Sequence, residues 1–263
     1  MTPRHYTTPV AFKQALEHRF KEASTSGMSL ARRRQLLVFD RFLARLVTVG
    51  GDAVVLKGGL VLEQRLARAR STKDIDLRMQ GSPDETLDRL QQAGRLDLGD
   101  FMRFEVQPDP HHPEIQSEGM KYDGYRFRAE CRLAGKIYGQ RFGVDVAFGD
   151  PIVGEPELVR SEDLLAFAAI EPPTLRLYPV VSHIAEKLHA YTLPRKRTNT
   201  RVKDLPDLAL LASVHGLESL ESRTAIDRTF GFRGTHAIPE QLAAPPASWS
   251  APYEAMAKTD RLI

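Results

Sequence analysis

A chain of 263 residues with 42% hydrophobic and 27% charged side chains has material for a substantial core, which excludes disordered and fibrous classes and leaves one large or two small domains. The formal charge of +3 neither requires nor forbids a polyanionic partner, so local clustering has to decide. The one cysteine, Cys131, excludes an intrachain disulfide and is expected to be buried, and no run reaches the length of a membrane span, which predicts a cytoplasmic protein without membrane contact.

Phe12, Leu16 and Phe20 recur every four residues and predict a first amphipathic helix, ended by the polar break Ser24, Thr25, Ser26 and Gly27. In the next helix Leu36, Phe39, Leu43 and Leu46 make the apolar stripe. Arg32, Arg33, Arg34, Arg41 and Arg45 cover the rest, and the expectation is a solvated face, with an acceptor-binding surface as the alternative. Residues 53–56 form an apolar run closed by Lys57, Gly58 and Gly59, after which Leu62, Leu66 and Ala69 have helical spacing, so strand, tight turn and helix follow one another. A β-run over 74–79 comes next. Ser82, Pro83 and Glu85 then carry the signs of a capped helix start.

Over residues 125–133, Tyr125, Phe127, Ala129, Cys131 and Leu133 alternate with Arg126, Arg128, Glu130 and Arg132, which predicts a strand with one apolar and one charged face. Gly135 and Lys136 fit a turn into a partner strand over 137–148, so the sheet is expected to be mixed. Beyond Pro151 the alternation stops. The boundary is placed near 155, giving a sheet-bearing part over 1–155 with its N-terminal helices and a helical part over 156–263 whose irregular tail is packed by Trp249 and Tyr253.

Asp74 and Asp76 flank Ile75, and a period of two turns both carboxylates to one face of the strand. Asp145, between Val144 and Val146, has the same setting, so the three acids are expected to converge on one cleft face. Oxygen ligands of this kind suit Mg²⁺, with Mn²⁺ as an alternative. The competing reading is acids at strand ends on the surface. The Gly58-Gly59 turn and the helix start behind it offer amides to phosphate oxygens, and Arg70 and Lys73 are either phosphate contacts or solvated helix-end cations. Asp109, His111 and His112 lack the spacing of a metal motif, and no nucleophile elbow is present.

A strand, a Gly-Gly turn, a helix and a strand bearing Asp-x-Asp resemble the polymerase-β-like nucleotidyltransferase superfamily. Residues 56–59 with 70–77, then 144–150, 186–190 and 201–208, are similar, in that order, to the motifs of the AbiEii/AbiGii nucleotidyltransferase toxin family, and the similarity runs over about 12–253. The resemblance implies an α+β fold: a polymerase-β-like nucleotidyltransferase core, with a mixed sheet flanked by helices, and a helical C-terminal lobe. It implies metal binding by Asp74, Asp76 and Asp145, catalytic-site roles for Lys187 and Asp204, and substrate contacts from Lys57, Gly58, Gly59, Arg70, Ser71, Lys73 and Asp207. Pro206 stands where the family usually has a bulkier residue, and Asp204 is also read as a helix N-cap with Asp207 three residues on. The implied partners are a nucleoside triphosphate, an RNA acceptor such as the tRNA 3′ end, and a separately encoded antitoxin. Alternatives are transfer to a protein or small molecule, and a silent binding module on the same fold. Arg126, Arg128, Arg195, Lys196 and Arg197 are candidate contacts for an RNA backbone.

Overall fold

The first helix, α1 (Pro9–Ala23), turns Phe12, Leu16 and Phe20 inward, as their spacing predicts. The computed structural model describes residues 4–23, 28–65, 71–115, 124–195, 199, 201–213 and 216–260. The polar break at 24–27, Leu66, Ala69, Arg70, Lys196 and Arg197 lie outside the described residues.

Helix α2 (Leu30–Gly50) opens on Ser29, whose side chain accepts the Arg32 amide. Its arginines correct the expectation of a solvated or acceptor-binding face. Arg45 is 0% and Arg41 2% exposed. Both meet the buried Asp100: Arg45 Nη1 and Nη2 donate to its two oxygens at 2.8 and 2.5 Å, and Arg41 Nε donates at 2.8 Å. The remaining Arg45 donors reach the carbonyls of Leu96, Arg41 and Met102. A buried guanidinium survives only when its donors are satisfied in this way. Arg32 and Arg34 pair with Glu63 and Glu17, and Arg33 reaches the Ala23 carbonyl.

The sheet is built from β1 (Val55–Lys57), β2 (Ile75–Met79), β3 (Met102–Pro108), β4 (Gly124–Leu133), β5 (Lys136–Ile137), β6 (Phe142–Phe148), β7 (Glu157–Arg160) and β8 (Thr174–Leu177). Its order is β3-β4-β6-β2-β1-β8-β7, with β5 on β4. The pairs β2/β6 and β1/β8 are parallel and the others antiparallel, so the sheet is mixed as expected. Between β1 and β2 runs α3 (Gly58–Arg65), and α4 (Pro83–Arg95) starts with both arms of the Ser82/Glu85 capping box in place. The hairpin of β4 with β6 forms, and Cys131 is buried on its apolar face. Ile75, Leu77, Val144, Val146, Phe104 and Phe127 join the α1 and α2 stripes in one core.

Strands β7 and β8 correct the boundary near 155. They extend the same sheet, β8 lying parallel beside β1 with Leu56 opposite Leu177, so the change to helix comes only after Tyr178. The helices that follow are α5 (Val180–Thr192), α6 (Asp204–Ala212), α7 (Ser219–Arg233) and α8 (Ser250–Asp260). The tail is thus partly helical, not irregular: Pro252 falls in the first turn of α8, where its missing N–H costs nothing, and Trp249 is buried with its indole donating to the Asn199 carbonyl at 2.6 Å. Among the described residues no helix is long and apolar enough to cross a membrane.

Candidate active site

The strand register sets four charged side chains in one row. Lys57 on β1 lies opposite Asp76 on β2, Asp76 opposite Asp145 on β6, and Asp145 opposite Arg126 on β4. Directly paired residues face the same side of a sheet, so the row reads cation, acid, acid, cation across four neighbouring strands. That face floors a cleft of about 540 Å³, within the usual range of small-molecule sites, about 300–1,000 Å³. Helices α5, α6 and α7 supply the wall through His183, Glu186, Lys187, Asp204 and Arg233, with Arg201 and Lys203 from the approach to α6.

Asp76 sits at the centre. Burial raises its carboxyl above the ordinary range, the neighbouring Asp145 charge adds to this, and Lys203, Lys57 and Lys187 oppose it. Its carboxylate accepts no hydrogen bond from a described residue. It packs directly on the glycine turn instead: a Cβ on Gly58 would come within 1.9 Å of Asp76 Oδ2, and Gly58 has φ +65, so this position excludes a side chain twice over. Asp145 is held by Arg126 through a two-pronged pair, Nε to Oδ1 at 2.8 Å and Nη2 to Oδ2 at 2.7 Å.

The three acids do not meet as expected. Asp76 and Asp145 line the cleft, whereas Asp74 is exposed just before β2 and accepts the Gly143 amide at 3.0 Å. The backbone hydrogen bond takes Asp74 out of the row. Among the described residues no group of three or more His, Cys, Asp or Glu side chains is placed to hold a metal ion. Asp76 and Asp145 nevertheless fit one divalent cation, because two carboxylates side by side on adjacent strands, one of them without a donor among the described residues and with its proton affinity raised, form the environment a hard dication relieves.

Lys187 and Asp204 come together on the wall. Lys187 Nζ donates to Asp204 Oδ1 at 3.2 Å and Asp207 Oδ2 at 2.8 Å, and Arg201 Nη1 donates to Asp204 Oδ2 at 3.0 Å. Burial alone would raise the Asp204 carboxyl, but Lys187 and Arg201 outweigh it and hold it below its ordinary value. Asp204 is the first residue of α6 and not its cap, which is Lys203 with no side-chain hydrogen bond, so the capping alternative is corrected. Pro206 is accommodated in that first turn. Asp207 is fully buried behind Lys187 and outside the cleft lining.

Lys57 does not stand open to a phosphate. Its ammonium donates to Asp150 and, at 2.8 Å, to Glu186, and lies over the Tyr178 ring. Arg233 Nη2 closes the group on Asp150 Oδ1 at 3.3 Å. Burial raises Glu186, with Lys57 opposing. Ser71 and Lys73 are exposed outside the cleft, beside Thr72, whose carbonyl accepts from Arg32 at 2.6 Å. Asp109 is used by its own loop, accepting the amides of His111 and His112 at 2.9 Å each and Arg128 Nε at 2.6 Å.

Sequence reasoning gave no site role to Glu186, Arg233 or Lys203, and took Arg126 for an RNA contact only. Lys203 and Glu186 stood inside the quoted motifs, and Lys203 is the cleft cation that, among the described residues, has no ion-pair partner. Arg126 carried no signal short of the strand register, and Arg233 none short of the packing that brings the end of α7 to the cleft.

The family model described as nucleotidyl transferase AbiEii toxin, type IV TA system, matches residues 41–261. MenT4, a nucleotidyltransferase toxin from Mycobacterium tuberculosis H37Rv, aligns with TM-score 0.61 and 20% identity, covering 94% of this chain and 87% of that one. JHP933 from Helicobacter pylori aligns with TM-score 0.47 and 15% identity over 89% of this chain and 92% of that one. The likeness to MenT4 shows a shared α+β fold, a mixed sheet flanked by helices. No curated protein matches in sequence.

Proposed function

Since the chain belongs to the AbiEii family of nucleotidyl transferase toxins of type IV toxin–antitoxin systems, we propose that its cleft transfers a nucleotide from a nucleoside triphosphate to a hydroxyl of an RNA acceptor such as the tRNA 3′ end. The supporting observation is the acidic pair Asp76 and Asp145, set side by side against the Gly58-Gly59 turn. The acceptor oxygen attacks the α-phosphorus in line and gives its hydroxyl proton to water, the bond to the α,β-bridging oxygen breaks, and pyrophosphate leaves with that electron pair.

The chain's own residues do the positioning. First-turn amides of α3 have no intrahelical acceptor and point along the dipole toward phosphate oxygens. Lys203, exposed at the cleft, offers a compact cation to the leaving pyrophosphate. Lys187 is fixed by Asp204 and Asp207, which hold its charge at one place in the wall.

Charge balance argues for metal dependence. Lys57 and Arg233 are matched by Asp150 and Glu186, Lys187 and Arg201 by Asp204 and Asp207, and Arg126 and Lys203 by Asp145 and Asp76. A triphosphate entering a neutral cleft with two carboxylates on its floor needs further positive charge. Mg²⁺ held by Asp76 and Asp145, with Asp74 available if it leaves the Gly143 amide, would supply Lewis-acid stabilisation of the charge that develops on phosphate. A separately encoded antitoxin completes the reading as the partner that restrains this activity.

The test incubates total RNA and purified tRNA with each α-labelled nucleoside triphosphate, with Mg²⁺ or with chelator. Label on tRNA that disappears on chelation and on periodate oxidation of the 3′ end is the expected result. Label on protein or metabolites instead would overturn the RNA acceptor.

A further inference from the structure

Arg126 stands at the end of the acidic row, and its guanidinium occupies the carboxylate a dication needs. Both Asp145 oxygens are taken by Nε and Nη2, at 2.8 and 2.7 Å, while no described residue accepts from Nη1. The pair is reachable by water, with side chains 40% and 20% exposed. An ion pair so exposed is weak and exchangeable, unlike the enclosed Arg45–Asp100 pair at 0% on both sides. Its fork matches phosphate as well as carboxylate. Two strand spacings, about 10 Å, separate its backbone from that of Asp76, and both line the cleft with the glycine turn, so a long side chain leaving Asp145 stays within reach of phosphates in that cleft.

We propose that Arg126 is an exchangeable latch, which holds Asp145 while the cleft is empty and passes its guanidinium to the triphosphate when a divalent cation reaches Asp76 and Asp145. The latch rests on the nucleotidyl-transfer reading. It adds that cation and nucleotide bind with positive coupling: the nucleotide draws Arg126 away and so opens Asp145 to the metal, and the metal in turn frees Arg126 for the nucleotide. Arg126 is thereby a positioning residue for the cation and a contact residue for the phosphates.

The experiment measures Mn²⁺ binding by electron paramagnetic resonance, alone and with α,β-methylene analogues of the four ribonucleoside triphosphates, on the full chain and on Arg126→Gln and Arg126→Lys. Wild type is expected to bind Mn²⁺ weakly alone and more tightly with an analogue. Arg126→Gln should bind Mn²⁺ alone about tenfold or more tighter, and the Mn²⁺–analogue complex about tenfold or more weaker, the size of a charge-assisted contact. Arg126→Lys keeps the charge without the fork, so it should gain Mn²⁺ affinity yet lose less analogue affinity; it keeps the proposal testable if Arg126→Gln fails to fold. Unchanged Mn²⁺ affinity in both folded variants, beside a wild type that binds the complex, would overturn the latch and leave the transfer reading standing. A wild type that binds no Mn²⁺–analogue complex would remove both.

Discussion

On opposite faces of one sheet the same residue types do different things. On the α2 face, Arg41 and Arg45 close around Asp100, both carboxylate oxygens are taken, and the leftover donors find carbonyls. On the other face, among the described residues, Asp76 accepts no hydrogen bond, Asp145 depends on one half-exposed arginine, and Lys203 forms no ion pair and acts on Asp76 only through its field. The first group is saturated and resists exchange. The second has open valence toward solvent, which is a poor way to stabilise a fold and a good way to receive a charged substrate.

The largest expected effect falls on the open side. Asp76→Asn should lower label transfer about a thousandfold or more while the urea midpoint stays within error or rises, since the change removes a desolvated charge that accepts no hydrogen bond from a described residue; a variant that keeps its activity would break the contrast. On the closed side, Arg45→Ala should cost about 3–5 kcal/mol in urea unfolding because it takes the two-pronged partner from a fully buried Asp100 and leaves Arg41 to hold it alone, whereas Arg126→Gln should cost less than about 1 kcal/mol. Equal losses for the two arginines would show that they are not different kinds of pair.

A third handle is pH. Burial, with the charges of Arg233 and His236, lowers His189 to about 4. Folded protein therefore binds fewer protons there than unfolded chain, so the stability that depends on neutral His189 is present above about pH 6.5 and is lost as pH falls from about 6.5 to 4. Urea midpoints measured across that window should fall by an amount worth a few kcal/mol at most, and His189→Gln should flatten the slope. One further substitution belongs to neither face. Ser82→Ala removes one arm of the α4 capping box and should cost about 1 kcal/mol in the same assay, with transfer unchanged.

What could be read without coordinates followed from short-range periodicity. Asp76 and Asp145 were legible because a strand's period of two fixes the parity of an acid between apolar neighbours, and Gly58 because a glycine pair ends an apolar run. Asp74 obeyed the same parity and still left the row, since the Gly143 amide that claims it lies 69 positions away. Arg126 needed the register of β4 on β6, and the hairpin between them is interrupted after β5. Arg41 and Arg45 looked like surface because their partner Asp100 is 59 and 55 positions distant. Strand β3 alternates Met102, Phe104 and Val106 between the turn residues Gly99 and Pro110, a short signal that was legible but passed over, and β8 is only four residues long behind two prolines.

The contact between Gly58 and Asp76 has a consequence for how such a protein can change over generations. The two positions share one volume, so a substitution at either is judged by what stands at the other: Gly58→Ala should be severe beside Asp76 and milder, though still costly at φ +65, in a background already lacking that carboxylate. Cradle and acid must therefore be inherited together. A lineage that acquires a new nucleotide preference is left with the helical wall, around His183 and Ala190, as the part of the cleft free to vary.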